Sequence, residues 1–67
     1  PLSNLLTHRE LEILRFVADG LSNGEIAQQL HFTVSTVKWY LSEIYSKLDA
    51  HSRAKAVAYA REKGLLA

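Results

Sequence analysis

The sequence contains no cysteine. Disulfides, cysteine-ligated zinc, iron–sulfur clusters and thiol catalysis are thereby excluded. No run approaches the roughly 18 apolar residues that a membrane-spanning helix needs. No secretory leader pattern opens the chain, and no membrane contact is expected. Methionine is absent as well. The chain is therefore expected to be a processed product or a domain cut from a longer protein. Strand signals are poor: no stretch alternates cleanly, and no Asn-Gly or Asp-Gly turn separates two β-type runs.

What is present points to one small folded domain. The 67 residues are 48% hydrophobic and 22% charged, a balance that argues against disorder. A core of this size rarely supplies more than about 3–5 kcal/mol, and the chain is too short for a deep catalytic cleft. A binding module is the natural expectation. The net charge is only +1, but it is unevenly spread. Residues 1–30 carry two basic against four acidic side chains, and residues 31–67 carry six against three. Such asymmetry suits a domain that turns one face to a polyanion, although a plain solvated surface produces it too.

Helix boundaries are well marked. Thr7 with Glu10 forms a capping box, and Leu6 can staple onto Leu11. Glu10, Ile13, Leu14, Val17 and Ala18 follow helical spacing until Asp19-Gly20, where Gly20 suits a left-handed stop. Ser22 with Glu25 repeats the box, Leu21 can staple onto Ile26, and Ile26, Ala27 and Leu30 face inward. His31-Phe32-Thr33 then separates this helix from the next, with Thr33 as cap and Phe32 stapled onto Val37. Val34, Val37, Leu41, Ile44 and Leu48 form one apolar stripe. Ser52 starts a last helix with Ala56, Val57 and Ala60 on one edge, Gly64 stops it, and Leu65-Leu66 folds back. The spacing predicts an all-α domain with four helices near 8–19, 23–31, 34–48 and 53–63. A short helix, a tight turn and a longer helix with a polar outer face make a helix-turn-helix. A helical bundle with no special surface is the alternative.

The outer face of the third helix carries Ser35, Thr36, Lys38, Trp39, Ser42, Glu43 and Ser46. A recognition helix meets base edges with its N-terminal turns. Lys38 can donate to guanine acceptors or to a phosphate, and Ser35, Thr36 and Ser42 can donate to either. The positive helix end favours a phosphate. Trp39 stands on this polar side, fit to touch a thymine methyl, a sugar or a protein partner, unless it folds over a gap between helices. The Tyr40 ring is expected in the core, with its hydroxyl available. Lys47 is placed either to favour the helix dipole or to meet a phosphate.

The chain resembles the LuxR-type (GerE- or NarL-type) helix-turn-helix of bacterial transcription regulators. The resemblance runs from Leu6 to Leu66, through LTHRELEIL at 6–14, GLSNGEIAQQL at 20–30, TVSTVKWYLSEIYSKL at 33–48 and SRAKAVAYAREKGLL at 52–66. It implies DNA binding as a dimer through the third of four helices. Ser35, Lys38, Trp39 and Ser42 match positions that face bases. Ser22, Asn23, Thr36 and Lys47 match positions near backbone phosphates, and Thr33, at the positive end of the third helix, joins them. Ala56, Val57 and Ala60 match the segment that packs the core and offers the dimer contact, with plain core the stronger reading for Ala56 and Ala60. The implied partners are double-stranded DNA, a second copy on that DNA and, as a further candidate, RNA polymerase. The implied location is the cytoplasm, in the C-terminal part of a longer regulator, and no cofactor or metal is implied.

The chain departs from the family pattern at several points. Gly24 stands where Lys or Arg is common, Tyr40 where His is usual, and Asp49-Ala50 where Gly-Val is usual. Ser42 and Ser46 are often basic in relatives. These departures suggest weak intrinsic DNA affinity and reliance on dimerisation or on the rest of a parent protein. Lys38-Trp39 and the ending AREKGLL at 60–66 look most like the large ATP-binding regulators similar to the maltose activator. Response regulators and quorum-sensing receptors are the other candidate parents.

Two other functions compete. A helical protein-interaction module would use Trp39, Phe16 and the fourth helix as an apolar surface, with Phe16 expected to be exposed. An enzyme is the poorest fit. His8, His31 and His51 lack metal-ligand spacing such as i, i+4, and no phosphate-cradling glycine loop or activated nucleophile is present.

Overall fold

The computed structural model describes residues 5–66, so the two ends of the expected single domain, residues 1–4 and 67, lie outside the described residues. Four helices follow in order: α1 His8–Ala18, α2 Asn23–Leu30, α3 Val34–Leu48 and α4 Arg53–Glu62. There is no strand among the described residues. The all-α architecture is the one expected, and α1, α2 and α4 each stop one residue sooner than the spacing suggested.

Local chemistry explains where each helix starts. The Thr7 hydroxyl accepts from the Glu10 N–H at 3.1 Å, and the Glu10 carboxylate accepts from the Thr7 N–H at 2.8 Å. Ser22 and Glu25 repeat the exchange at 3.2 and 2.8 Å. Each box satisfies two backbone donors that a helix start otherwise leaves open. The ring of backbone and hydroxyl bonds from Ser22 also holds the exposed Glu25 carboxyl below its ordinary pKa. Thr33 and Ser52 cap α3 and α4 by accepting from the N–H groups of Thr36 and Lys55, both at 3.1 Å.

All four helices end alike. A residue in the left-handed region turns the chain, and the next N–H reaches back five residues: Leu21 to Phe16, Phe32 to Ala27, Ala50 to Tyr45 and Leu65 to Ala60, at 3.1, 2.9, 2.9 and 2.8 Å. This is the Schellman closure. The left-handed residues are Gly20 and Gly64 for α1 and α4, but His31 and Asp49 for α2 and α3. The two strained turns therefore bracket α3.

α1 and α3 each pack against every other helix, whereas α2 and α4 do not pack on each other. Ile13, Leu14, Ile26, Val37 and Ile44 are the largest fully buried side chains, joined by Leu41, Leu48, Ala56, Ala60 and Leu65. Two expectations are corrected here, and one is met. Val34 is exposed, at 42%, and the buried stripe of α3 begins at Val37. At about 100° per residue Val34 lies at the edge of that stripe. Phe16 is not exposed: it is half-buried against the core, because three helices surround α1 and widen its buried arc. Ala56 and Ala60 are completely buried, in line with the core reading favoured for them over the dimer contact.

Candidate nucleic-acid interface

The turn His31-Phe32-Thr33 sets α3 across α2, and the core stripe on one side of α3 fixes which residues face outward. Ser35, Lys38, Trp39, Ser42, Glu43 and Ser46 are all exposed. Trp39 is 59% exposed, so it does not fold away over a gap between helices. Its ring stands edge-on to Tyr40, with centroids 5.1 Å apart and planes at 78°. Tyr40 is half-buried and stacks flat on Phe32, at 5.7 Å and 4°. At the N-terminal end of α3 the Thr33 and Thr36 hydroxyls lie 3.0 Å apart. Thr33 is exposed and Thr36 half-buried beside it.

On one flank, Asn23, Lys38, Leu41, Ser42, Tyr45 and Arg53 line a shallow groove between α2, α3 and α4. Arg53 reaches from the start of α4 to the start of α2. Its guanidinium donates to the Asn23 side-chain oxygen at 2.9 Å and to the Leu21 carbonyl. A planar fork suits this two-acceptor geometry. Burial pushes the Tyr45 hydroxyl pKa up, against the opposing pull of Arg53, so the group stays protonated and able to donate. The groove thus gathers Lys38, Ser42 and Asn23 from the expected interface with Arg53 and Tyr45, which the sequence reading missed. One signal was available: Arg53 opens α4 with a positive charge, against the helix dipole, and such a placement calls for a partner elsewhere.

On the other flank, Lys47 is paired. Its Nζ donates to both carboxylate oxygens of Glu10, at 2.8 and 3.0 Å. Glu10 is only 4% exposed, the one buried charged residue among those described. Burial opposes its ionisation, but the Lys47 hydrogen bond, the Thr7 N–H and the Lys47 charge together outweigh it and hold the carboxyl below its ordinary range. Ser22, like Thr33, is an exposed cap whose oxygen already accepts one backbone bond. No group of three or more potential metal ligands occurs among the described residues. None of the described helices is long and apolar enough to cross a membrane.

Four helices with a three-residue turn before an outward-facing third helix define a helix-turn-helix domain. The sequence pattern of the luxR family of bacterial regulatory proteins matches residues 4–60, and the chain belongs to that family. The response regulator protein VraR of Staphylococcus aureus strain Mu3 is 48% identical over 65 residues, covering 97% of this chain and 31% of VraR. VraR of Staphylococcus epidermidis matches to the same extent. The crystal structure of the response regulator ChrA, from a heme-sensing two-component system, superposes with a TM-score of 0.88 at 43% identity. That match covers 91% of this chain and 30% of ChrA. The chain thus spans less than a third of the relatives it matches.

Proposed function

We propose that this domain binds specific DNA sequences for a bacterial transcription regulator by laying α3 in the major groove. The observation that carries the reading is the outward side of α3: a lysine, hydroxyl side chains and one aromatic ring on a helix whose opposite side is locked into the core. Ser35, Lys38, Trp39 and Ser42 face the bases. Ser22, Asn23, Thr33, Thr36 and Lys47 face phosphates, with the Lys47 charge already shared with Glu10. The function is binding, not catalysis.

Dimerisation on DNA falls to the outward side of α4, where Val57 is half-buried beside Ala54, Ala58 and Arg61. RNA polymerase is a further partner this reading allows. The domain acts in the cytoplasm as the DNA-binding, C-terminal part of a longer regulator. The 48% identity to VraR favours a response-regulator parent. A parent similar to the maltose activator rests on Lys38-Trp39 and residues 60–66 alone.

The test is selection from random-sequence duplexes at low salt. An enriched motif in paired half-sites is expected. Affinity should fall with salt, at a log–log slope of about −3.6 for four neutralised phosphates. No retention even at low salt would replace this reading with a protein-interaction module centred on Trp39.

A further inference from the structure

Resting on the reading that α3 enters the major groove, we propose that Trp39 recognises the C5-methyl group of thymine, and that Tyr40 positions the indole for it. The outward arc of α3 is polar except at its centre. At 59% exposure Trp39 is the most exposed of the large hydrophobic side chains described. Ser35 lies one turn before it and Ser42 nearly one turn after, both exposed and both able to hydrogen-bond any base edge. An indole at the centre of such an arc needs an apolar counterpart. In the major groove the thymine methyl is the apolar feature of the base edges.

The ring is also held in place. Trp39 meets Tyr40 edge-on at 5.1 Å, Tyr40 stacks on Phe32 at 5.7 Å, and the Arg9 guanidinium covers Phe32 at 5.2 Å. This series runs from α1 through the turn to the outer side of α3. A solvent-exposed aromatic without such support samples several rotamers and loses that freedom on binding. Here the orientation is set beforehand, so contact with a methyl group is gained with little ordering cost. Lys38, on the groove side, is free of protein partners among the described residues and supplies the guanine-reading donor. Half-sites that combine guanine with thymine follow.

The experiment uses the 67-residue chain and a duplex enriched from a random pool. Each thymine is replaced in turn by uracil, which deletes the methyl and leaves the base-pairing edge intact. Anisotropy titration should show at least one thymine per half-site whose loss weakens the wild-type chain roughly fourfold, as removal of one buried methyl implies. Trp39→Ala should bind the thymine and uracil duplexes equally. Tyr40→Phe should keep the thymine preference and Tyr40→Leu should narrow it, with thermal melts showing that both fold. Equal wild-type affinity for every uracil duplex overturns the thymine assignment and leaves DNA binding standing. Failure to bind any duplex at low salt overturns the α3 reading, and this inference with it.

Discussion

Lys47 and Glu10, 37 residues apart in sequence, share two hydrogen bonds of 2.8 and 3.0 Å. The same Glu10 carboxylate closes the capping box of α1. One acidic group thus starts α1 and ties it to the C-terminal half of α3. Removing one partner of a fully buried pair costs about 3–5 kcal/mol. Lys47 keeps a third of its side chain in water, so Lys47→Met should cost less, about 2 kcal/mol by urea unfolding. Glu10→Gln keeps an acceptor for the cap and should cost about 1–2 kcal/mol. The double variant should lose less than the two single losses added together, because neither charge is then left alone.

The pH dependence follows from the same group. The folded Glu10 pKa lies below its unfolded value, so the native state favours the ionised form. The stabilisation is complete above the unfolded carboxylate pKa of about 4.3 and is lost as pH falls through the lowered folded value. Urea midpoints of the wild type should therefore drop across that acidic window. Glu10→Gln should flatten the drop, leaving the part contributed by Glu25. An unchanged profile in Glu10→Gln would place the acid sensitivity elsewhere.

The contrast between these pairings shows what the sequence makes legible. Thr7 with Glu10 and Ser22 with Glu25 lie three residues apart, and hydrogen bonding at that spacing is dictated by helix geometry. Gly20 and Gly64 announce left-handed turns by composition. Trp39 falls on the polar side by helical period alone. Lys47 with Glu10 and Arg53 with Asn23 are different. Their separations of 37 and 30 residues are closed only by packing, and no period predicts them. Burial errors have the same origin. Phe16 and Val34 lie at the edges of their stripes, where the number of neighbouring helices decides exposure.

His31 and Asp49 carry side chains in a conformation that favours glycine, at φ 57° and 52°. The left-handed region costs an ordinary residue about 1–2 kcal/mol, and glycine returns part of that as lost chain entropy. His31→Gly should stabilise the domain by about 0.5–1 kcal/mol. Asp49→Gly should gain somewhat more, since it also removes a negative charge from the negative end of α3. Thermal melts check both. A gain for one site only would mean that the other side chain makes a compensating interaction.

Arg53 bridges α2 and α4, which do not otherwise pack on each other. Arg53→Ala should cost about 1.5–3 kcal/mol, in line with hydrogen bonds from a charged donor. Arg53→Lys should recover little, because an ammonium cannot serve both acceptors with a planar fork. Asn23 holds its place by accepting from Arg53, so DNA affinity should fall in both variants. Full affinity in Arg53→Lys would detach the groove from the DNA interface.

Gly24 offers the sharpest test of where α2 lies on the DNA. It is exposed near the start of α2, and an added Cβ would meet only the Ser22 hydroxyl, at 3.9 Å. Gly24→Ala should therefore stabilise the domain by up to about 1 kcal/mol through helix propensity, without altering the salt dependence of DNA binding. Gly24→Lys should gain less stability, because a cation at a helix start opposes the dipole by about 0.3–1 kcal/mol. It also sets a new charge beside Ser22 and Asn23. If those residues face phosphates, the log–log salt slope should steepen by about 0.9, one more counterion released. A slope identical to that of Gly24→Ala would put the start of α2 away from the backbone and leave DNA contact to α3 and its flanks.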